Sequence, residues 1–461
     1  MKKFDLNIEK VLENWDISHA LREIIANSLD EQALTKSKDI EIFQDGSNNF
    51  HIRDYGRGLR YEHLTQNEND EKLKNSHLVI GKFGVGLKDA LATFDRQDVA
   101  IFVKSNYGEI TVEKSAKHGF EDVVTLHAFI SEPSDKDFVG TEFIFSGVSS
   151  EEIEKAKSYF LKFSDETLVE KTQYGEVLFK QDNVGKIYIN GLLVAEEENF
   201  LFSYNITSLT QVMRKALNRE RTNVGRIAYT DRIKTILLSC QRKIVAKFLV
   251  NDLQEFESGS QHDEVKWTDV AVYACQLLNA NDKVIFLTPQ DVSKNNNSVD
   301  DAKLDGFKIV FIPENIKAKI KGLKDVNGQP IRDLSQYITE YNESFSYSFV
   351  SMDNLLDSEK AIFNLSEKVF SLINAKPKTV REILISETMR KEVGLSETVG
   401  VYEPSYQRII IKRSQLRNKE NYVGTLLHET AHAISGACDV NRDFEIELTR
   451  LLGIVGTHNL V

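Results

Sequence analysis

Three short motifs follow one another in the first ninety residues, and their order constrains the fold of this chain more than any other feature. Residues 17–34 carry apolar side chains at helical spacing. A strand-like run then ends in the sequence DYGRG, and a glycine-rich stretch, IGKFGVG, leads into a second helical segment. This alternation predicts an α/β domain that brings polar groups and flexible backbone to one site.

The first two motifs each have an ordinary structural explanation and a functional one. Glu23 and Asn27 lie four residues apart and share one helix face. They could form a polar stripe, but a carboxylate beside a carboxamide can also orient water and ligate Mg²⁺. Asp54 at a strand end could accept a hydrogen bond from an adenine amino group. Gly56 and Gly58 would then let the backbone approach the base closely.

The third motif contains Gly81, Gly84 and Gly86 and runs directly into a helical segment. Loops of this kind present backbone N–H groups and a helix N-terminus to phosphates. The motif is not a Walker loop, because the chain has no GxxxxGK[ST] sequence. The third motif therefore predicts a phosphate-binding loop of a different class.

In this order, the motifs E-x3-N, D-x-G-x-G and G-x-F-G-x-G resemble those of the GHKL ATPases. That class includes the heat-shock chaperones, type II topoisomerases, mismatch-repair ATPases and Microrchidia proteins. A fourth element, Gly140 and Thr141 in VGTEFIF, is similar to the Gly-Thr pair that closes the adenine pocket. The resemblance covers about residues 15–145 and implies the α/β sandwich called the Bergerat fold.

The resemblance implies a role for each polar residue of these motifs and two cofactors, ATP and Mg²⁺. Glu23 would be the general base that activates the attacking water, and Asn27 would hold Mg²⁺. Asp54 would bind adenine with help from Thr141. The carboxylate positions the water, and Mg²⁺ and cations supply most of the remaining stabilisation.

The same resemblance implies two further elements around the phosphates. Gly84 and Gly86 would lie at the hinge of an ATP lid over residues 61–82, whose polar composition suits a mobile segment. The stretch ALNRERTNVGR resembles the transducer loop that sends a cation to the γ-phosphate. Arg219 matches best and Arg221 is second, and a guanidinium suits phosphate because it is always charged and bidentate. In the family, ATP closes the N-terminal domains into a dimer, so a homodimer is implied.

A second candidate site lies near the C-terminus, in the sequence YVGTLLHETAHAIS. His428 and His432 at i and i+4 on a helix can both reach one Zn²⁺, and Glu429 between them can deprotonate the attacking water. The alternative is a helix with two hydrogen-bonded histidines. The strand RIIIK before the helix favours the metal, as in many zinc peptidases. We expect this strand to pair with an extended substrate, as edge strands do.

A catalytic zinc needs a third protein ligand and one open position. The segment after the HETAH helix offers Glu445 and Glu447 on a second helix, which resembles the gluzincin plan, and Glu445 is favoured. Asp439 would give an aspartate-ligand plan instead, and His458 is a remote candidate. The chain has no HExxHxxGxxH sequence, so a metzincin is excluded.

Composition narrows the partners and the compartment. The net charge of −12 argues against nucleic acid as the main partner. Three cysteines lie far apart with no CxxC, which indicates a reducing compartment. The N-terminus lacks the apolar region of a signal peptide, and no apolar run approaches the length of a membrane span. We therefore expect a cytoplasmic protein without a membrane partner.

At 461 residues, the chain is long enough for several domains, and we predict an α+β multidomain protein. The predicted division is a GHKL domain over 1–165, a transducer-like domain over 166–260, a small α/β unit over 261–338 and a mainly helical zincin-like domain over 339–461. One long helix over Asp231–Val250 is expected near the end of the second domain.

These patterns predict an ATPase whose nucleotide-driven dimer closure regulates a C-terminal zinc-dependent protease. Its substrate is an unidentified protein or peptide, and the setting could be bacterial stress or phage defence. The alternative is a GHKL chaperone or nucleic-acid clamp with a structural or inactive C-terminal metal site. Loss of peptide cleavage in a Glu429 variant would distinguish the protease from the clamp.

Overall fold

The computed structural model describes residues 2–6, 14–64, 70–75, 79–81, 86–117, 120–217, 224–294, 296–373, 376–391 and 398–458. The chain forms two compact units, residues 1–277 and residues 278–461. Both units mix helices with β-sheets, so the α+β class is observed, while the four-domain division stays a prediction. Within the described ranges, no helix has both the length and the apolar character needed to cross a bilayer.

The N-terminal part of the first unit is an antiparallel sheet with helices packed against it. Its strands are β1 (Lys2–Asp5), β2 (Glu41–Gln44), β3 (Phe50–Arg53), β4 (Ala100–Ser105), β5 (Gly108–Lys117), β6 (Phe120–Ser131) and β7 (Thr141–Ser146). Over the described residues they pair in the order β1-β6-β5-β4-β7-β3-β2. The helices are α1 (Ile17–Thr35), α2 (Asp70–Lys74), α3 (Gly86–Arg96) and α4 (Ser150–Ser158).

Helix α1 is the central helix of this layer, because α3 and α4 both pack against it. The Asp16 side chain caps its first turn by accepting a hydrogen bond from the His19 amide. Leu21, Ile24 and Ile25 are fully buried in the core below. The helix predicted over residues 17–34 is confirmed with nearly the same bounds. Its buried polar residues are therefore fixed in place by the packing on either side of them.

A second sheet follows in the first unit. Its strands are β8 (Thr167–Lys171), β9 (Gly175–Phe179), β10 (Gly185–Ile189), β11 (Leu192–Glu197) and β12 (Ser203–Ile206). In the described part of the chain their order is β11-β10-β12-β9-β8, with β10 and β12 parallel. The helices that follow are α5 (Gln211–Ala216), α6 (Arg226–Leu237), α7 (Lys243–Leu253), α8 (Asp263–Lys266) and α9 (Thr268–Asn281).

The single long helix expected over Asp231–Val250 was wrong, because α6 ends before α7 begins. The break is held by Glu170 from β8, whose buried carboxylate accepts hydrogen bonds from the amides of Gln241 and Arg242. These amides belong to the two residues directly before α7, in the turn that separates it from α6. A side chain distant in sequence therefore starts a new helix, which local periodicity could not indicate.

The described residues of the second unit form two sheets. The first is a parallel pair, β13 (Val284–Leu287) and β14 (Lys308–Phe311), with helices α10 (Pro289–Lys294), α11 (Asn296–Leu304), α12 (Glu314–Ile320) and α13 (Leu334–Glu343). The second contains β15 (Phe349–Val350), β16 (Glu382–Ser386), β17 (Gly400–Glu403) and β18 (Arg408–Lys412). Its helices are α14 (Asp357–Phe363), α15 (Leu365–Leu372), α16 (Lys419–Ser435) and α17 (Arg442–Thr457).

Strand β18 was expected to be an edge strand, and this expectation was wrong. Across the described residues the strand order is β15-β16-β18-β17, so β18 pairs with a strand on each side. Its central residues Ile409, Ile410 and Ile411 are fully buried, as in a strand covered on both faces. The outer strand of this sheet, next to β18, is β17.

Candidate functional site

A cavity of about 380 Å³ opens in the first unit beside α1 and the end of β3. Its volume lies within the range of small-molecule pockets. Four of the residues predicted for nucleotide binding line this cavity: Asn27, Asp54, Gly58 and Thr141. Glu31, Arg57, Lys72 and Phe143 also contribute to the lining. Residues from separate motifs therefore meet at one concave surface.

Asp54 and Thr141 are held together by hydrogen bonds. The Asp54 amide donates to the Thr141 carbonyl at 2.9 Å, and the Asp54 carboxylate accepts from the amides of Gly56 at 2.9 Å and Thr141 at 3.3 Å. Gly140 has φ +85°, and a Cβ there would overlap the Asp54 backbone oxygen, so only glycine fits. Burial raises the pKa of Asp54 to about 6, and the charge of Glu31 adds to this shift.

Glu23 belongs to α1, and its carboxylate points at the N-terminus of α3 rather than at solvent. Its side chain is buried and pairs with the equally buried Arg22, at 3.0 Å between Oε1 and the guanidinium. A Cβ on Gly86, the first residue of α3, would overlap the other carboxylate oxygen of Glu23. The glycine motif and the E-x3-N motif therefore approach each other closely, and the absence of a side chain at Gly86 makes this possible.

Asp30 is a residue of this site that the sequence analysis missed. It is 1% exposed, and its carboxylate accepts hydrogen bonds from the amides of Ile80 at 2.5 Å and Gly81 at 3.0 Å. Asp30 thus fixes the start of the glycine-rich stretch to α1. The sequence pattern could have revealed Asp30, because it lies three residues after Asn27 and continues the polar helix face that begins at Glu23.

The second sheet also reaches the glycine-rich stretch. Asn190, in the turn between β10 and β11, donates to the carbonyl oxygen of Val79 at 2.9 Å. Val79 directly precedes the two amides that Asp30 binds. Three of the predicted nucleotide-site residues lie outside the described residues: Gly84, Arg219 and Arg221.

The second unit brings two histidines and an aspartate together at the end of α16. Nε2 of His428 and Nε2 of His432 are 3.2 Å apart. Oδ1 of Asp439 lies 3.1 Å from the first nitrogen and 3.3 Å from the second. A tetrahedral Zn²⁺ with bonds of about 2.0–2.1 Å needs ligand atoms roughly 3.3 Å apart. The three atoms therefore fit three corners of a zinc site and leave the fourth corner for water or substrate.

Neighbouring groups fix the orientation of both imidazoles. Nδ1 of His432 donates to the Ala437 carbonyl at 2.7 Å, so its Nε2 carries the lone pair that a metal needs. The buried ring of Phe444, from α17, stacks on His432 at 4.2 Å and meets His428 edge-on at 4.9 Å. Burial lowers the pKa of His428 and favours its neutral form. Neutral imidazole is the form that binds metals.

Asp439 reaches the histidines from the connection between α16 and α17. Helix α16 ends at Ser435, and Gly436 after it adopts the left-handed conformation, with φ +67°. Val440, directly after Asp439, has φ +59° although it is β-branched and 94% exposed. Such a backbone conformation costs free energy in a valine, and strained residues of this kind cluster at functional sites. The strain here accompanies the placement of Asp439.

Glu445 and Glu447, the third ligands favoured from the sequence, do not lie beside the histidines. Glu445 is exposed, and Glu447 forms an ion pair with Arg450 at 2.6 Å. Among the described residues, the cluster that could hold a metal consists of His428, His432 and Asp439. Helix α17 directs Phe444 at the imidazoles, so the next residue is rotated by about 100° toward solvent.

Glu429 lies beside this cluster and is 6% exposed. Burial raises its pKa to about 8, the charge of Asp439 adds to the shift, and a hydrogen bond from the Tyr402 backbone opposes it. A Cβ on Gly400 would lie 2.8 Å from Oε1 of Glu429. The outer strand β17, which contains both Gly400 and Tyr402, therefore runs directly past the carboxylate.

Comparison with known proteins gives relatives of the chain but no activity. Residues 151–243 match the family described as the Mycoplasma pneumoniae MPN635 N-terminal domain. An uncharacterized protein of Mycoplasma pneumoniae is 36% identical over 247 residues, which are 53% of this chain and 99% of that protein. The chain belongs to the family of this protein. A second uncharacterized Mycoplasma pneumoniae protein is 23% identical over 337 residues, 67% of this chain and 93% of its own length.

Proposed function

We propose that the chain is a zinc-dependent peptidase with His428, His432 and Asp439 as the metal ligands and Glu429 as the general base. The observation that supports this proposal is the triangle of ligand atoms, with sides of 3.1 to 3.3 Å. The donor set of two imidazoles and a carboxylate is one that zinc accepts. Zn²⁺ in such a site supplies a Lewis acid for the peptide carbonyl.

The chain's own residues supply the remaining functions of a peptidase. Glu429 accepts the proton of the attacking water when it is ionised, and its raised pKa of about 8 keeps that proton available for the leaving amine. The outer strand β17 offers backbone groups for an extended peptide, which would pair with it as an added strand. The peptide bond would then pass Glu429, because β17 carries Gly400 and Tyr402 beside that carboxylate. The proposed substrate is therefore an extended segment of a protein.

Asp439→Asn should lower zinc affinity by at least about 100-fold, because the site loses the charge of its third ligand. Glu445→Gln is the matched control, since it removes the same charge from an exposed position six residues away. Zinc content of the full chain is measured by plasma mass spectrometry after dialysis. Loss of zinc in Glu445→Gln with retention in Asp439→Asn would restore the glutamate-ligand plan and refute this assignment.

A second proposed function is ATP binding and hydrolysis in the first unit, in the manner of the GHKL class. It is supported by the convergence of Asn27, Asp54 and Thr141 on one cavity. Asp54 would accept a hydrogen bond from the adenine amino group, and Asn27 would offer a carboxamide oxygen to Mg²⁺. Glu23 would act as the general base. ADP release from ATP by the full chain, and its loss in Asn27→Ala, tests this function.

Nucleotide affinity should fall as the pH drops through about 6. Burial raises the pKa of Asp54 to about 6, and its ionised carboxylate is the proposed acceptor of a hydrogen bond from the adenine amino group. Above this pKa the acceptor is ionised and affinity is full, so binding at pH 5 should be about tenfold weaker than at pH 7. Titration with a fluorescent ADP analogue measures this change. In Asp54→Asn the carboxylate is absent, so the remaining pH dependence of affinity comes from the nucleotide's own ionisation. The change of about tenfold between pH 7 and pH 5 that Asp54 causes should be missing in this variant.

We further propose that ATP-driven dimer closure regulates the peptidase. Cleavage of casein by the wild-type chain should then change when ATP or a non-hydrolysable analogue is added. An effect of the analogue would assign regulation to closure, and an effect of ATP alone would assign it to hydrolysis. ATP hydrolysis without bound zinc would instead support the chaperone or clamp.

A further inference from the structure

The side chain of Lys72 already places a positive charge at the predicted Mg²⁺ ligand. Nζ of Lys72, on α2, lies 3.0 Å from Oδ1 of Asn27 and 2.7 Å from Oδ2 of Asp30. The lysine side chain is 15% exposed and that of Asp30 is 1% exposed. A buried carboxylate needs a compensating charge, and Lys72 supplies it. The carboxamide oxygen of Asn27 is thus already bound to a cation.

The two oxygen atoms that the Lys72 ammonium group contacts are of the types that bind Mg²⁺ in proteins. Asn27 and Asp30 both offer oxygen atoms, and Mg²⁺ prefers carboxylate and carbonyl oxygens supplemented by water and phosphate. The Ile80 amide holds Oδ1 of Asp30, and the Gly81 amide donates to Oδ2, the oxygen that Lys72 also contacts. A divalent cation in place of the ammonium group would use the same two oxygens but would bind them at the shorter distance of about 2.0–2.1 Å.

Helix α2 is attached to α1 at a second point. The guanidinium of Arg57 lies between Glu31 on α1, at 2.8 Å, and Glu71 on α2, at 3.0 Å. Lys72 follows Glu71 directly, so neighbouring residues attach α2 to α1 at two points. The cavity is lined by Glu31, Arg57, Glu71 and Lys72. The Arg57 pairs are more exposed than the Lys72 pair, so solvent screens them more strongly.

We propose that Lys72 is an internal substitute for Mg²⁺, and that the metal–nucleotide complex binds by displacing its ammonium group from Asn27 and Asp30. This inference rests on the proposed ATP site. Displacement raises the Mg²⁺ concentration that nucleotide binding requires, because the ion must compete with the ammonium group for Asn27 and Asp30. Asn27 cannot bind both cations at once. Lys72 therefore occupies the two oxygens in the absence of the metal–nucleotide complex and leaves them when the complex binds.

The test measures Mn²⁺ binding to the full chain without nucleotide, from the electron spin resonance signal of free Mn²⁺. All samples carry His428→Ala to remove the C-terminal site. Lys72→Met should bind Mn²⁺ at least about tenfold more tightly than its parent, because the competing charge is gone. Lys72→Arg keeps the charge and should show no gain. Lys74→Met, from an exposed lysine on the same helix, is the matched control.

The site of the added ion is tested by combining Lys72→Met with Asn27→Ala, which should abolish the gain. No gain in Lys72→Met, or a gain that survives Asn27→Ala, would overturn the inference. Titration of the same samples with a fluorescent ADP analogue separates the two proposals. Nucleotide binding without a Mn²⁺ gain refutes only the displacement of Lys72. A Mn²⁺ gain without any nucleotide binding refutes the ATP site and leaves the exchange of Lys72 with a divalent cation supported.

Discussion

Glu429→Gln should abolish peptidase activity and leave zinc bound. Glutamine has nearly the same shape as glutamate but cannot accept the proton of the attacking water, so cleavage should slow by about 1,000-fold. The three proposed ligand atoms belong to His428, His432 and Asp439, and Glu429 contributes none of them. Metal content should therefore stay near that of the wild-type chain, which separates a chemical defect from loss of the site.

The measurement is the rate of casein cleavage, with zinc content determined on the same preparations. Glu445→Gln is again the control, because the same substitution is made at an exposed residue near the site. Cleavage should persist in that variant. If cleavage persists in Glu429→Gln as well, the C-terminal site does not act as proposed and the chaperone or clamp becomes the better interpretation. Loss of zinc in Glu429→Gln would contradict its assignment as a base outside the ligand set.

The parts of the cavity beside α1 that could be predicted are those in which a proposed role and a local structure share one sequence pattern. Asp54 follows a strand and precedes two glycines, and the structure holds it at this turn beside Thr141. Helical spacing likewise placed Glu23 and Asn27 on α1. Asp30 was recoverable by the same spacing, but its function depends on the amides of the glycine-rich stretch. Contacts between segments fifty residues apart do not appear in a local pattern.

The third ligand of the proposed metal site shows where sequence patterns stop being sufficient. His428 and His432 are set by one helix, so their common direction follows from helix geometry. The third ligand depends on how the chain turns after Gly436 and how α17 is rotated about its axis. Burial of Phe444 against the imidazoles determines that rotation and leaves Glu445 in solvent. Spacing alone could not choose Asp439, because the required left-handed backbone falls on Val440, a residue that disfavours it.

The order of the strands in the sheet that contains β18 could not be predicted from the sequence either. The centre of β18 consists of three isoleucines, which fits a central strand as well as an edge strand packed on a helix. Only the pairing of β18 with β16 and β17 decides between them. The consequence is functional, because the proposed peptide-binding edge moves from β18 to β17. Gly400 on β17 can then approach Glu429 more closely than any residue with a side chain could.

Gly86→Ala should reduce ATP hydrolysis by about 100-fold while nucleotide binding is largely retained. The added Cβ would overlap the Glu23 carboxylate, and this buried side chain cannot move freely because Arg22 holds its other oxygen. A displacement of about 1 Å at a catalytic group is enough for a loss of this size. Alanine favours helix more than glycine does, so weakened folding of α3 would not explain the defect.

Gly225→Ala is the control for this substitution, because Gly225 also stands at the start of a helix and has no atom within 4 Å of an added Cβ. Steady-state ADP release and titration with a fluorescent ADP analogue are measured on both variants. An equal loss of hydrolysis in the two would indicate a general effect of the substitution. Unchanged hydrolysis in Gly86→Ala would mean that Glu23 is not the general base, since its carboxylate cannot keep its position beside an alanine at residue 86.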